Sequence, residues 1–177
     1  MSLTPNAVES TPLHLMTHEE GVRFPEGALP HQSPVYARNS LVIAAAPERL
    51  FAWLLAAPRW PEWYANAKDV RIAGDAPLLT LGAEFTWVTF GVRVHTRIEE
   101  LVPARRLAWS GRGLGSTAYH GWLLEPVAEG TRVTTEETQR GFVASLGRVP
   151  LRRGLLKWHQ RWLEGLAQIS TTGLPAV

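Results

Sequence analysis

Between Glu84 and Arg140 apolar and polar residues alternate almost without a break, and only one later stretch has the helical period and length to cover a sheet. Phe85, Trp87 and Thr89 share one face of a first strand. After Phe90-Gly91, Val92, Val94, Thr96 and Ile98 alternate with Arg93, His95, Arg97 and Glu99. A two-residue turn there pairs residues whose numbers sum to 181, setting Trp87 opposite Val94, Phe85 opposite Thr96 and Glu84 opposite Arg97. Both faces are then chemically consistent, which supports the register. A second hairpin joins 117–125 to 132–140 across Val127-Ala128-Glu129-Gly130. Numbers summing to 257 place Leu124 opposite Val133, Trp122 opposite Thr135 and His120 opposite Glu137. Leu107 and Trp109 add a further strand. The covering helix opens at Pro150 and repeats Leu155, Trp158, Trp162, Leu166 and Ile169 at three- and four-residue steps. A strongly bent sheet around one helix leaves space at one end unless side chains fill it.

The preceding segment supplies the remaining elements. Leu41-Val42-Ile43 predicts a first strand over 36–44. Pro47 opens a short helix carrying Leu50, Phe51, Leu54 and Leu55, which Pro58 stops. Trp60-Pro61-Glu62-Trp63-Tyr64 starts a second short helix, and a strand over 68–73 ends in the turn Gly74-Asp75. Gly165 is read as a close-packing position and Gly154 as part of a loose first turn. Residues 1–35 hold five prolines and no sustained period, and are expected to form an extended arm or disordered tail. His14 and His18 stand four apart, a metal-binding spacing on a helix, but the prolines oppose a helix there and the segment reads as a solvated tail. The chain therefore reads as one α+β domain over 36–170: a curved antiparallel sheet wrapped around a long C-terminal helix, with two short helices after the first strand. Residues 171–177 read as a C-terminal tail.

Composition excludes several classes. With no cysteine, disulfide frameworks, cysteine zinc sites, iron–sulfur clusters and thiol catalysis are out. No apolar run approaches a membrane span and the start shows no signal pattern, so a soluble, cytoplasmic protein is expected. Arg148, Arg152, Arg153, Lys157 and Arg161 form a local basic cluster without an acid among them. A net charge of +2 is not that of a nucleic-acid binder. The cluster is a solvated face, an anionic-membrane contact or a partner for an acidic ligand head. Eight tryptophans either fill a core or line a cavity.

The element order resembles the START/Bet v 1-like (SRPBCC) superfamily, in its polyketide cyclase/dehydrase and lipid-transport branch. The stretches carrying the likeness are Ala45-Ala46-Pro47, Trp60-Pro61-Glu62-Trp63-Tyr64, Arg106-Leu107-Ala108-Trp109, His120 to Pro126, Gly130-Thr131-Arg132-Val133 and Glu137. The resemblance implies a helix-grip fold with an apolar cavity between sheet and helix, whose occupant differs widely between members.

His120 and Glu137 are the leading polar pair on the inward face, as a satisfied core pair, a ligand anchor or a proton-transfer couple. Phe85, Trp87, Val94, Trp109 and Trp122 on the sheet, with Leu155, Trp158 and Trp162 on the helix, are the expected cavity wall. The Trp158/Trp162 pair also reads as ordinary core. Ser110 and Ser116 have no evident base, two aspartates do not suggest a paired-aspartate mechanism, and Gly111 to Gly115 reads as a flexible bend rather than a phosphate loop. Two functions follow. One is binding of a small hydrophobic or aromatic molecule (lipid-, quinone- or polyketide-like). The other is a cyclase/aromatase or dehydratase in which His120 moves protons and Glu137 orients it. No cofactor or metal is expected, and the oligomeric state is open.

Overall fold

Two tight reversals organise the sheet in the computed structural model, which describes residues 21–176. Phe90 and Gly91 both take positive φ (51° and 74°), as do Leu114 and Gly115 (47° and 69°). Positive φ at both central residues suits a two-residue turn to the right-handed twist of its strands. The first turn joins β3 (Glu84–Thr89) to β4 (Val92–Val102), and the second joins β5 (Arg106–Gly113) to β6 (Ser116–Val127). The expected bend at Gly111 to Gly115 is thus a hairpin, with β5 running through Gly113 before it turns.

Both deduced registers are present: Trp87 faces Val94 and Glu84 faces Arg97, while His120 faces Glu137 and Leu124 faces Val133 on β7 (Gly130–Gly141). With β1 (Val35–Ile43) and β2 (Lys68–Ile72), seven antiparallel strands run in the order β1-β7-β6-β5-β4-β3-β2. The register between β4 and β5 shifts after Ile98, bringing Leu101 opposite Leu107. Such a bulge re-phases alternation and lets the sheet curve.

α1 (Pro47–Leu55) follows β1, and a 3₁₀ turn (Ala57–Glu62) takes the place of a second α-helix. Pro58 and Pro61 each remove a backbone donor, so the longer α-helical ladder cannot form. α2 (Phe142–Leu146), not foreseen from the sequence, precedes α3 (Arg148–Ser170). α3 begins two residues before Pro150, whose missing N–H falls in the first turn, where no intrahelical acceptor exists. The fold is α+β and helix-grip-like, with α3 laid on the sheet.

Residues 21–34 run over the sheet's outer face. Val22 is buried over Gly121, Phe24 packs against Tyr36 and Tyr119, and the Thr138 hydroxyl donates to the Ala28 carbonyl. His14 and His18 lie outside the described residues.

Gly165 lies where α3 meets the segment after the 3₁₀ turn, and a Cβ there would sit 2.5 Å from the Trp63 carbonyl oxygen. Alanine normally gains about 1 kcal/mol over glycine in a helix. Here Gly165→Ala is expected to destabilise by about 1–3 kcal/mol, because backbone must move to admit the methyl group. Urea unfolding measures the sign.

Candidate functional site

Large side chains fill one end of the sheet's inner face and small ones the other. Inward positions on β5 read Leu107, Trp109, Gly111, Gly113, and on β6 Leu124, Trp122, His120, Ala118, Ser116. Trp60 from the 3₁₀ turn plugs the large end: it is fully buried, with its ring centroid 5.3–5.7 Å from those of Phe85, Trp87, Trp109 and Trp162. Its indole N–H donates to the Leu54 carbonyl at 3.1 Å. Over the small end lies a cavity of about 310 Å³. Gly111, Ala118 and Val94 floor it, Leu151 and Trp162 of α3 cover it, and Tyr64 and Phe90 close its sides.

Of the wall residues expected from sequence, Trp87, Val94, Trp109, His120, Glu137 and Trp162 line this cavity. The other four lie away from its lining. Phe85 packs deeper, against Trp60 and Trp109. Trp122 lies beyond His120, stacked on it at 5.4 Å. Leu155 turns toward β1 in a separate cluster with Val35, Ala37 and Ala144. Trp158 is half-buried, edge-on to Tyr64 with the Arg161 guanidinium over its ring. The helix is rotated from the expected stripe: its buried face is Leu155, His159, Trp162, Leu163, Leu166 and Ser170, leaving Trp158 and Ile169 half-buried on the flank.

That rotation brings in His159, which the sequence reading did not single out. Both imidazoles meet one carboxylate oxygen: His120 Nδ1 and His159 Nε2 each lie 3.1 Å from Glu137 Oε2. Gln139 donates to the other oxygen, Oε1, at 2.7 Å. Burial alone would raise the Glu137 carboxyl, but the hydrogen bonds from His120 and His159 outweigh it and hold the group well below the ordinary carboxylate range. For His120, burial dominates over attraction to Glu137 and pushes the imidazole down to about 4, so it is neutral near pH 7. Its Nδ1–H then donates to Glu137, and its Nε2 accepts from the Thr135 hydroxyl at 2.6 Å. The Glu137 carboxylate and the imidazoles of His120 and His159 form a buried polar cluster at the edge of a mainly apolar chamber. Chemically it can orient a polar substituent or relay a proton.

The signal for His159 was present: it stands four residues after Leu155 and three before Trp162. A search for apolar periodicity passes over a histidine, and the larger Trp158 beside it draws the stripe off axis.

Residues 35–177 match the family described as polyketide cyclase/dehydrase and lipid transport. A hypothetical protein of Helicobacter pylori, jhp0584, is 28% identical over 88% of this chain and 99% of its own, with a TM-score of 0.79. TTHA0849 of Thermus thermophilus is 18% identical over 77% of this chain and 97% of its own, at TM-score 0.64. The di-domain ARO/CYC StfQ of the steffimycin biosynthetic pathway is 16% identical, covering 78% of this chain and 51% of that one, at TM-score 0.66. The latter two likenesses concern the fold alone. No curated protein matches the chain. With most of its length matched and the sheet, helix and cavity arranged as described, the chain belongs to the polyketide cyclase/dehydrase and lipid-transport family of the SRPBCC superfamily.

Proposed function

We propose that the protein binds a small hydrophobic or aromatic ligand, lipid-, quinone- or polyketide-like, in the cavity between sheet and α3. The observation that carries this reading is the chamber: about 310 Å³, walled by Trp87, Val94, Trp109 and Trp162, with His120, Glu137 and His159 converging at one edge and Arg112, Thr117 and Gln139 also in its lining. Pockets of this kind take apolar ligands and use a few polar groups to fix orientation. The family is consistent with hydrophobic-ligand binding or cyclase chemistry. A panel of fatty acids, quinones and aromatic polyketides tests it by tryptophan quenching and thermal shift. At 100-fold saturation a binder stabilises the fold by about 2.7 kcal/mol. A panel that moves neither signal removes the proposal.

The two imidazoles flanking an ionised carboxylate favour a second reading, a cyclase/aromatase or dehydratase using the same chamber. Here a poly-β-carbonyl substrate loses turnover in His120→Gln while its affinity holds. Loss of both together, or of neither, returns the case to binding alone.

Entry to the chamber supports a membrane contact as part of the binding reading. Phe90, Leu114, Phe142, Leu146 and Val149 are 44–74% exposed, on the two hairpin tips and around α2. Of these, Phe90 and Leu114 also line the cavity, as does Val143 beside Phe142. Exposed Arg148, Arg153 and Lys157 lie on the adjoining helix, with no acidic residue between Glu137 and Glu164. Arg152 instead donates to the Tyr36 carbonyl. No helix among the described residues is long and apolar enough to cross a membrane. Apolar tips flanked by cations suit shallow insertion into an anionic bilayer, through which an apolar ligand would pass. The chain should float with phosphatidylglycerol vesicles and not with phosphatidylcholine alone. Leu114→Glu combined with Leu146→Glu should cut bound protein at least tenfold, and equal flotation with both lipids would refute the contact.

A further inference from the structure

His120, Glu137 and His159 place two imidazole nitrogens and one carboxylate oxygen at a single point, on three elements that are each rigidly packed. β6 carries His120, β7 carries Glu137 and α3 carries His159, and all three residues are buried. Their donor atoms lie within 4.8 Å of one another, and each imidazole nitrogen is 3.1 Å from Glu137 Oε2. We propose that these three side chains form a binding site for a divalent transition-metal ion of the Zn²⁺ class.

The donor set fits such an ion. Nitrogen and carboxylate-oxygen ligands of zinc stand about 2.0–2.2 Å from the metal, so neighbouring ligands in a tetrahedral site are roughly 3.3–3.5 Å apart. Both imidazole–carboxylate spacings are already close to that. Only the two imidazoles must draw together, by up to about 1.4 Å, to complete a tetrahedral face. Metal ligands are normally oriented by hydrogen bonds from a surrounding layer of groups, and two such bonds exist. Thr135 Oγ1 lies 2.6 Å from His120 Nε2, and Gln139 Nε2 donates to Glu137 Oε1 at 2.7 Å.

To ligate, His120 moves its proton from Nδ1 to Nε2, where Thr135 Oγ1 accepts it in place of donating. His159 would ligate through Nε2, leaving Nδ1 on the far side of its ring. That atom is buried with no hydrogen-bond partner. The ion takes the place of the contacts that His120 Nδ1 and His159 Nε2 make to Glu137 Oε2.

Three protein ligands leave at least one coordination position open. Glu137 is the most exposed of the three side chains, at 10% against 3% and 2%, and it borders the cavity. The open position therefore faces the chamber, where an oxygen of a bound molecule or a water can occupy it. The inference stands on the donor geometry and does not depend on which molecule fills the cavity.

The test uses the full-length chain stripped with EDTA, titrated with Zn²⁺ by calorimetry and with Co²⁺ by visible absorption. Three other places attract metal non-specifically: the His14/His18 pair and the exposed His31 and His95. A His14→Ala/His18→Ala/His31→Ala/His95→Ala variant therefore serves as the background. In that background one equivalent of Zn²⁺ should bind, and Co²⁺ should give the intense visible bands of a four- or five-coordinate site. Glu137→Gln and His159→Gln should each weaken Zn²⁺ binding at least 100-fold, with circular dichroism confirming the fold. Should either variant unfold, loss of the His120 and His159 tautomer signals of the metal-free protein on adding Zn²⁺, read by ¹⁵N NMR of the background protein, decides instead. No uptake by the background protein overturns the proposal. So does uptake that persists undiminished in folded Glu137→Gln, or imidazole signals that Zn²⁺ leaves unchanged.

Discussion

Trp60→Ala is expected to lower the stability of the fold by about 3–5 kcal/mol, the range for deleting a buried aromatic side chain from a packed core. Trp60 is fully buried and its ring meets Phe85, Trp87, Trp109 and Trp162, joining strands, 3₁₀ turn and helix at one point. Aromatic pairs of this geometry contribute about 0.5–1.5 kcal/mol each beyond the area they bury. The indole N–H is also satisfied, by the Leu54 carbonyl, so Trp60→Phe gives up that bond and some volume and should lose less than Trp60→Ala. Equilibrium urea unfolding measures both. A loss under about 1 kcal/mol for Trp60→Ala would mean that the 3₁₀ turn is not part of the cooperative core.

Ala118→Trp should abolish ligand binding while leaving the fold intact. Ala118 is one of the small inward residues on the cavity floor, opposite Gly111 and Gln139 across the two neighbouring ladders. An indole there extends into empty space instead of displacing packed atoms, so the usual penalty for overpacking is small. It takes up much of a chamber of about 310 Å³. Affinity for a fluorescent apolar probe such as anilinonaphthalene sulfonate should fall at least 100-fold, or about 2.7 kcal/mol. The melting temperature should stay within a few degrees of the parent. The same indole at exposed Val42 serves as control and should leave probe binding unchanged. Unchanged affinity in Ala118→Trp would place the binding site elsewhere.

Much of the architecture was legible because its causes are local. The hairpin registers follow from turn length and alternation, and Trp87–Val94 and His120–Glu137 fall where the arithmetic puts them. The small inward residues Gly111 and Gly113 read instead as part of a bend, because glycines at a strand end carry the same local signal as a turn. Less legible was whatever depends on how α3 is turned about its axis. Apolar spacing alone cannot choose between a stripe through Trp158 and one through His159, since both stand three or four residues from Leu155 and Trp162. The choice is made by what lies opposite: Glu137 receives His159, whereas Trp158 keeps a half-exposed position under Arg161. The same limit applies to Trp60, whose place in a proline-rich short-helix segment suits packing and a pocket rim equally well.

The sequence by itself therefore determined the pairing of two hairpins, which of their faces turns inward and that a single helix covers it, because alternation and turn chemistry act over a few residues. Only the tertiary structure decided which part of that interior is solid. Trp60 and Trp162, about a hundred positions apart in the chain, close one end. Small side chains from two strands leave the other open, and α3 turns His159 onto the carboxylate at its edge. Filled and hollow volume are properties of side chains converging from distant segments, and no local pattern encodes where they meet.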